Sequence, residues 1–166
     1  MKELRPSRVV LYALMAAILF VAQVSLAFLP NIELVTLLII VFTLFTGKKV
    51  FYIIYAFVLL EGAVYGFGLW WVSYLYIWLI PAGAALLMKK LKNPLGWAVF
   101  AGAYGLCYGA LCGIPYLFIG GFSAFFAYWV SGIPFDVTHC IGNFIVTLLL
   151  FKPLCAAMRL AEKYMG

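Results

Sequence analysis

The amino-acid sequence predicts an all-α membrane protein, a bundle of six transmembrane helices with both termini cytoplasmic. Three observations carry this expectation. Hydrophobic residues make up 68% of the chain and charged residues 10%, against about 45–50% and about 25% in soluble domains. Mean hydropathy is +1.16, which leaves lipid as the natural solvent for the outer surface. The eleven Lys and Arg fall into four clusters: Lys2, Arg5 and Arg8; Lys48 and Lys49; Lys89, Lys90 and Lys92; Lys152, Arg159 and Lys163. Each cluster borders an apolar run. Six crossings put all four on one face, as the positive-inside rule requires of the cytoplasmic side, whereas five or seven would scatter them.

The net charge of +6 is therefore topological, with some attraction to anionic lipid heads. Nucleic acid is excluded as a partner, and the lipid bilayer is the expected one. Crossings of about 20 residues use up the 166 residues as a single domain, 1–166, and leave none for a soluble module. The expected localisation is a bacterial-type plasma membrane, with a multi-pass chain.

The first helix is expected over 9–28. Its apolar run exceeds the usual 7–15 residues of a secretory signal core, and it is read as retained. Leu29-Pro30-Asn31 breaks it. The second, 32–46, is short, carries Glu33 at its mouth and returns at Gly47-Lys48-Lys49. The third, 50–66, contains Glu61 about 18 Å from the cytoplasmic edge, at about 1.5 Å per residue. Tyr65 lies one turn further on the same face, able to donate to Glu61; a bridge from Glu61 to His139 is the structural alternative. Gly66-Phe67-Gly68 ends this helix. The fourth, 69–88, opens with Trp70, Trp71, Tyr74, Tyr76 and Trp78. Asn93-Pro94 starts the fifth, 95–119, which Gly120-Gly121 closes. Residues 122–130 are too short to span and are expected to lie at the outer interface or to extend a hairpin. The sixth helix is 133–153.

The sixth helix also carries the chemistry. In residues 131–152, SGIPFDVTHCIGNFIVTLLLFK, the side chains of Asp136, His139, Cys140, Asn143 and Thr147 fall within an arc of roughly 100°. Val137, Ile141, Phe144, Ile145 and Leu148 are left facing lipid or neighbouring helices. Ionisable residues inside a membrane helix are expensive and point to function. Pro134 suits a first helical turn, where Asp136 would favour the positive helix end.

On this map Glu33, Glu61 and Asp136 share the outer half with Gln23, Asn31, Ser73, His139 and Asn143, and no Lys or Arg lies near. The inner half is apolar. Such asymmetry predicts a pocket open to the outside rather than a continuous pore. The candidate ligand-binding residues are Glu33, Glu61, Tyr65, Trp71, Tyr74, Asp136, His139 and Asn143. Uncompensated acids beside aromatic faces favour a cationic or amine-bearing ring, although interfacial aromatic belts also form without a ligand. Catalytic residues are not expected, because a His–Asp pair needs a nucleophile or a metal to do acid–base chemistry. One histidine and four cysteines without CxxC spacing support neither a metal site nor a disulfide framework. No cofactor is expected, and the cysteines read as small core hydrophobes. Ala101, Gly105, Gly109 and Gly113 form a small-residue ridge for helix packing, and Ala13 and Ala17 a shorter one.

The segments LPNIELVTLLIIVFTLFTGKK (29–49) and GIPFDVTHCIGNFIVTLLLFKPL (132–154), with six helices, basic cytoplasmic edges and the AxxxA pair, resemble the substrate-binding S components of energy-coupling factor (ECF) transporters. The resemblance implies a chain without catalysis of its own that captures a vitamin-like small molecule from outside. It also implies a transmembrane coupling subunit and two cytoplasmic ATPase subunits as partners. In that family the small-residue motif of the first helix contacts the coupling subunit, a role that maps here to Ala13 and Ala17. The competing classes are an independent transporter or channel, an intramembrane enzyme using Glu61, Asp136 and His139, and a purely structural membrane partner.

Overall fold

A computed structural model describes residues 6–165, with side chains over 8–163; Lys2 and Arg5 of the first basic cluster lie outside the described residues. The described chain is helical throughout, without strands: α1 (Pro6–Ser25), α2 (Val35–Thr46), α3 (Val50–Tyr65), α4 (Leu69–Ile77), α5 (Leu79–Leu87) and α6 (Pro94–Met165). Four continuous stretches are long and apolar enough to cross a membrane: Arg8–Ser25, Val35–Tyr65, Leu69–Leu87 and Pro94–Lys163.

The exterior is apolar between sparse charges, a surface compatible with lipid. Arg8, Lys48, Lys89, Lys90, Lys92, Lys152, Arg159 and Lys163 are exposed. The helix exteriors between them are apolar, with Val10, Leu14, Val21, Leu59, Val99 and Ile141 all exposed. α2 is apolar on every side and buried from Val35 to Thr43. A helix without a polar face belongs at the centre of a bundle, and α2 packs there against α1, α3, α5 and α6.

Backbone chemistry sets the joints. α1 stops at Ser25, three residues short of the expected end, and Leu26–Ile32 continue in turns that close through the Leu29 N–H to the Leu26 carbonyl (2.8 Å). Pro30 brings no N–H to extend a helix, and Asn31 adopts a left-handed φ of 57°. α2 and α3 meet through a 3₁₀ turn, Gly47–Lys49, entered at a Gly47 φ of 60°. The Asn93 carboxamide accepts the Leu95 N–H (3.0 Å), with Pro94 as the first residue of α6, which is the expected entry with an N-cap side chain.

Interior prolines explain where α4, α5 and α6 hold together. Pro81 cannot donate to the Ile77 carbonyl, so the expected helix 69–88 divides at Trp78, and the Tyr104 hydroxyl donates to Ile77 instead (3.0 Å). Pro115 likewise leaves the Leu111 carbonyl free, and the Tyr76 hydroxyl donates to it (2.6 Å), beside Ser73 on the Cys112 carbonyl (3.1 Å). A buried carbonyl left unpaired in an apolar medium costs several kcal/mol. These tyrosines therefore fasten α4 to α6 at the points where proline opens each ladder.

α6 is a hairpin. Non-helical angles at Gly120 and Gly121, the latter with φ 68°, turn the chain between arms 94–119 and 122–165. Residues 122–130 extend the hairpin, the second of their two expected placements, and the expected helix 133–153 is the middle of a longer one. Pro134 sits inside it rather than in its first turn, because the bend at Gly121 restarts the helix more than two turns earlier. The small-residue ridge faces the second arm: a Cβ added to Gly105 would meet the His139 carbonyl at 2.8 Å, and one on Gly109 the Asp136 carboxylate at 2.5 Å. Hydrogen at these positions is what lets the arms lie this close.

Candidate functional site

The polar stripe of the second α6 arm turns inward as expected. Asp136, His139, Asn143 and Thr147 are all at most 4% exposed, while Val137, Ile141, Ile145 and Leu148 are 39–55% exposed. Each buried polar group needs a partner, and most find one on another helix. The Asp136 Oδ1 accepts the Gly109 N–H at 2.8 Å. The Asn143 side-chain amide reaches the Thr36 hydroxyl at 3.4 Å. His139 Nε2 lies 3.2 Å from Glu33 Oε1, a contact between residues 106 positions apart.

Glu33 organises the junction. It precedes α2, and its second oxygen accepts the Thr36 N–H at 2.8 Å. A carboxylate there satisfies one of the open donors of the first helical turn and sits at the positive end of the helix. One side chain thus caps α2 and holds His139.

Beside this pair lies a cavity of about 340 Å³. The 26–33 turn closes one side of it through Leu26, Ala27, Leu29, Pro30, Asn31, Ile32 and Glu33; Gln23, Tyr74, Trp78, Tyr108 and His139 form the rest. The aromatic side is ordered by edge-on contacts. Tyr74 meets Trp78 with ring centroids 5.3 Å apart and planes at 85°, Trp78 meets Tyr108 at 6.0 Å, and Tyr108 meets His139 at 4.6 Å. Gln23 Nε2 donates to the Tyr74 hydroxyl at 3.1 Å, joining α1 to α4.

The eight residues expected to bind a ligand divide into two groups. Glu33, Tyr74 and His139 line the cavity. Asn143 and Asp136 stand behind it on the His139 helix, held by Thr36 and Gly109. Trp71 is turned to α3, donating its indole N–H to the Val58 carbonyl at 2.8 Å. Tyr65 is 53% exposed and packs on Phe20; it does not serve Glu61, whose Oε1 is buried without a hydrogen-bond partner. The bridge from His139 likewise runs to Glu33, because α2 and not α3 lies against the second α6 arm. Of the three outer acids, only Glu33 borders the cavity.

The sequence reading did not single out Tyr108 or the apolar part of the 26–33 turn. Tyr108 is adjacent to Gly109 in the small-residue ridge, and a large aromatic beside such a ridge was the available signal. Leu29 and Pro30 read in sequence only as a helix stop. Among the described residues, no group of three or more His, Cys, Asp or Glu is arranged to hold a metal ion. The four cysteines are unpaired thiols.

No family model, curated protein or solved structure matches the chain.

Proposed function

We propose that this chain is the membrane-embedded substrate-binding subunit of an ECF-type ABC importer, capturing a vitamin-like small molecule from outside the cell. In this reading the chain crosses the bilayer six times. The stretches Val35–Tyr65 and Pro94–Lys163, 31 and 70 residues long, each cross twice about their glycine bends. Both termini and the basic links then lie in the cytoplasm, and the 26–33 turn and the Gly120-Gly121 bend lie outside.

The observation that carries the proposal is the cavity of about 340 Å³ walled by Tyr74, Trp78 and Tyr108, with Gln23, Asn31 and the Glu33–His139 pair as its polar groups. Its size falls within the range of about 300–1,000 Å³ usual for small-molecule sites. At the Lys48–Lys49 end the bundle is filled by Leu37, Ile40, Val41, Ala85, Trp97, Ala101 and Phe151, each at most 5% exposed. A dry plug of this kind supports capture over conduction, since a pore needs polar lining along its length. Movement of the ligand inward then requires partners, which in this proposal are a transmembrane coupling subunit and two cytoplasmic ATPases. Ala13 is exposed and Ala17 partly so, on the outer face of α1, where they are available to the coupling subunit.

The test is to purify the chain alone in detergent and identify any co-purifying small molecule by mass spectrometry. Uptake is then measured in vesicles with and without an ATPase module. A tightly held small molecule and ATP-dependent uptake are expected. Uptake by the chain alone overturns the proposal in favour of an independent transporter.

A further inference from the structure

Building on the proposal that the cavity is the substrate site, we infer that its substrate is an uncharged planar heterocycle with an N–H donor and a carbonyl acceptor on one edge, as in a lactam or ureide. Charge disfavours the alternatives. Glu33 is the only carboxylate in the lining, and its two oxygens are already engaged by His139 (3.2 Å) and the Thr36 N–H (2.8 Å). Asp136 spends one oxygen on Gly109 and lies outside the lining. The Glu33 carboxylate is thus already shared between the imidazole and a backbone N–H, which weakens its pull on a cation. No Lys or Arg lines the cavity, so an anion has no counter-charge.

The hydrogen-bonding inventory gives the shape of the edge. Three lining residues carry a buried polar atom without a partner: Gln23 Oε1, an acceptor; Trp78 Nε1, a donor; and His139 Nδ1, the acceptor of a neutral ring that turns its Nε2–H to Glu33 and the place for a second ring N–H. The Gln23 amide nitrogen is already committed to Tyr74, so only its oxygen remains to be met. An orphaned acceptor requires an N–H and an orphaned indole N–H requires a carbonyl or ring nitrogen. One planar ring edge supplies both. The faces of Tyr74, Trp78 and Tyr108 supply the apolar walls that a flat ring fills.

The experiment titrates the full chain in detergent with four probes. Hypoxanthine and uracil are uncharged rings with such an edge; thiamine is a cationic ring system and nicotinate an anionic one. The uncharged rings are expected to bind at least tenfold more tightly than the charged ones. Gln23→Leu and Trp78→Phe are each expected to weaken the uncharged rings about tenfold, the loss of one hydrogen bond. Gln23 is only partly buried, so its variant decides the matter if Trp78→Phe fails to fold. Tighter binding of thiamine or nicotinate, or an affinity unmoved by Gln23→Leu, overturns the inference and leaves the binding-subunit proposal intact. If none of the four binds, the co-purified molecule decides: an uncharged ring with that edge supports the inference, and any other molecule overturns it. A chain that binds no probe and co-purifies with nothing overturns both.

Discussion

The two ends of the bundle are built on opposite rules. At one end Trp97 stacks on Phe151 at 6.1 Å, and its indole N–H donates to the Leu91 carbonyl at 2.9 Å, with Leu37, Ile40 and Ala101 closing round it. Its polar requirement is met and its volume is filled. At the other end the Trp78 indole N–H has no partner, and a cavity lies against the ring. Both indoles are at most 1% exposed, so burial alone does not separate them. What separates them is satisfaction: the Trp97 N–H is paired within the chain, and the Trp78 N–H is not. Structural cores pair their buried polar groups, and binding sites leave some of them for a ligand.

Substitutions at the two ends should therefore divide cleanly between stability and binding. The largest loss of stability is expected for Trp97→Ala, about 3–5 kcal/mol from the void left in a close-packed core. Denaturation in detergent measures it, and ligand affinity below the transition should stay unchanged. A shift in affinity would show that the packed end communicates with the cavity.

His139→Ala strikes the junction itself. It leaves the buried Glu33 oxygen unpaired and should cost about 1–3 kcal/mol of stability, with ligand binding lost as well. A double-mutant cycle with Glu33→Gln should give a coupling of at least about 0.5 kcal/mol; additive effects would mean that the pair does not act as a unit. Gly105→Ala tests the same junction from the opposite arm. A methyl group 2.8 Å from the His139 backbone should push the α6 arms apart, at a cost of about 1–3 kcal/mol, and weaken binding by displacing the imidazole.

Smaller effects belong to the proline-opened carbonyls. Tyr104→Phe and Tyr76→Phe each remove a hydroxyl from a carbonyl that has no helical donor, and about 1 kcal/mol of stability should go with each. Replacing Tyr76 should matter more near the cavity end and Tyr104 more at the centre, as site-resolved hydrogen exchange would register. The smallest effect on the fold is expected from Leu at both Ala13 and Ala17, within about 0.5 kcal/mol for outward-facing positions. Ligand binding should persist while coupled uptake is lost. Normal uptake in that variant removes α1 as the docking face.

Much of this division was legible in the residues alone. The helix joints at Gly47, Gly66, Asn93-Pro94 and Gly120-Gly121 were readable because glycine and proline impose backbone rules that neighbours cannot override. The inward turn of Asp136, His139 and Asn143 was readable because a helix fixes the angle between its side chains. Pro134 misled for a related reason. Proline is favoured in a first helical turn, but α6 tolerates it in the interior, and only the path of the chain after Gly121 distinguishes the two positions.

Distances between helices were not legible. His139 has Glu33, just before α2, and Glu61, within α3, equally open to it in sequence, both more than seventy residues earlier. The choice of Glu33 follows from α2 taking the centre of the bundle, which depends on how all the helices pack together. The assembly of Gln23, Tyr74, Trp78 and Tyr108 around one cavity has the same origin, since no local pattern links residues on α1, α4 and α6. Composition and periodicity thus determined the apolar exterior, the helical class and which face of each helix is polar, because these are properties of a single helix in its solvent. Tertiary structure decided which polar groups meet, which remain open and where the cavity lies, because these depend on close approach between helices.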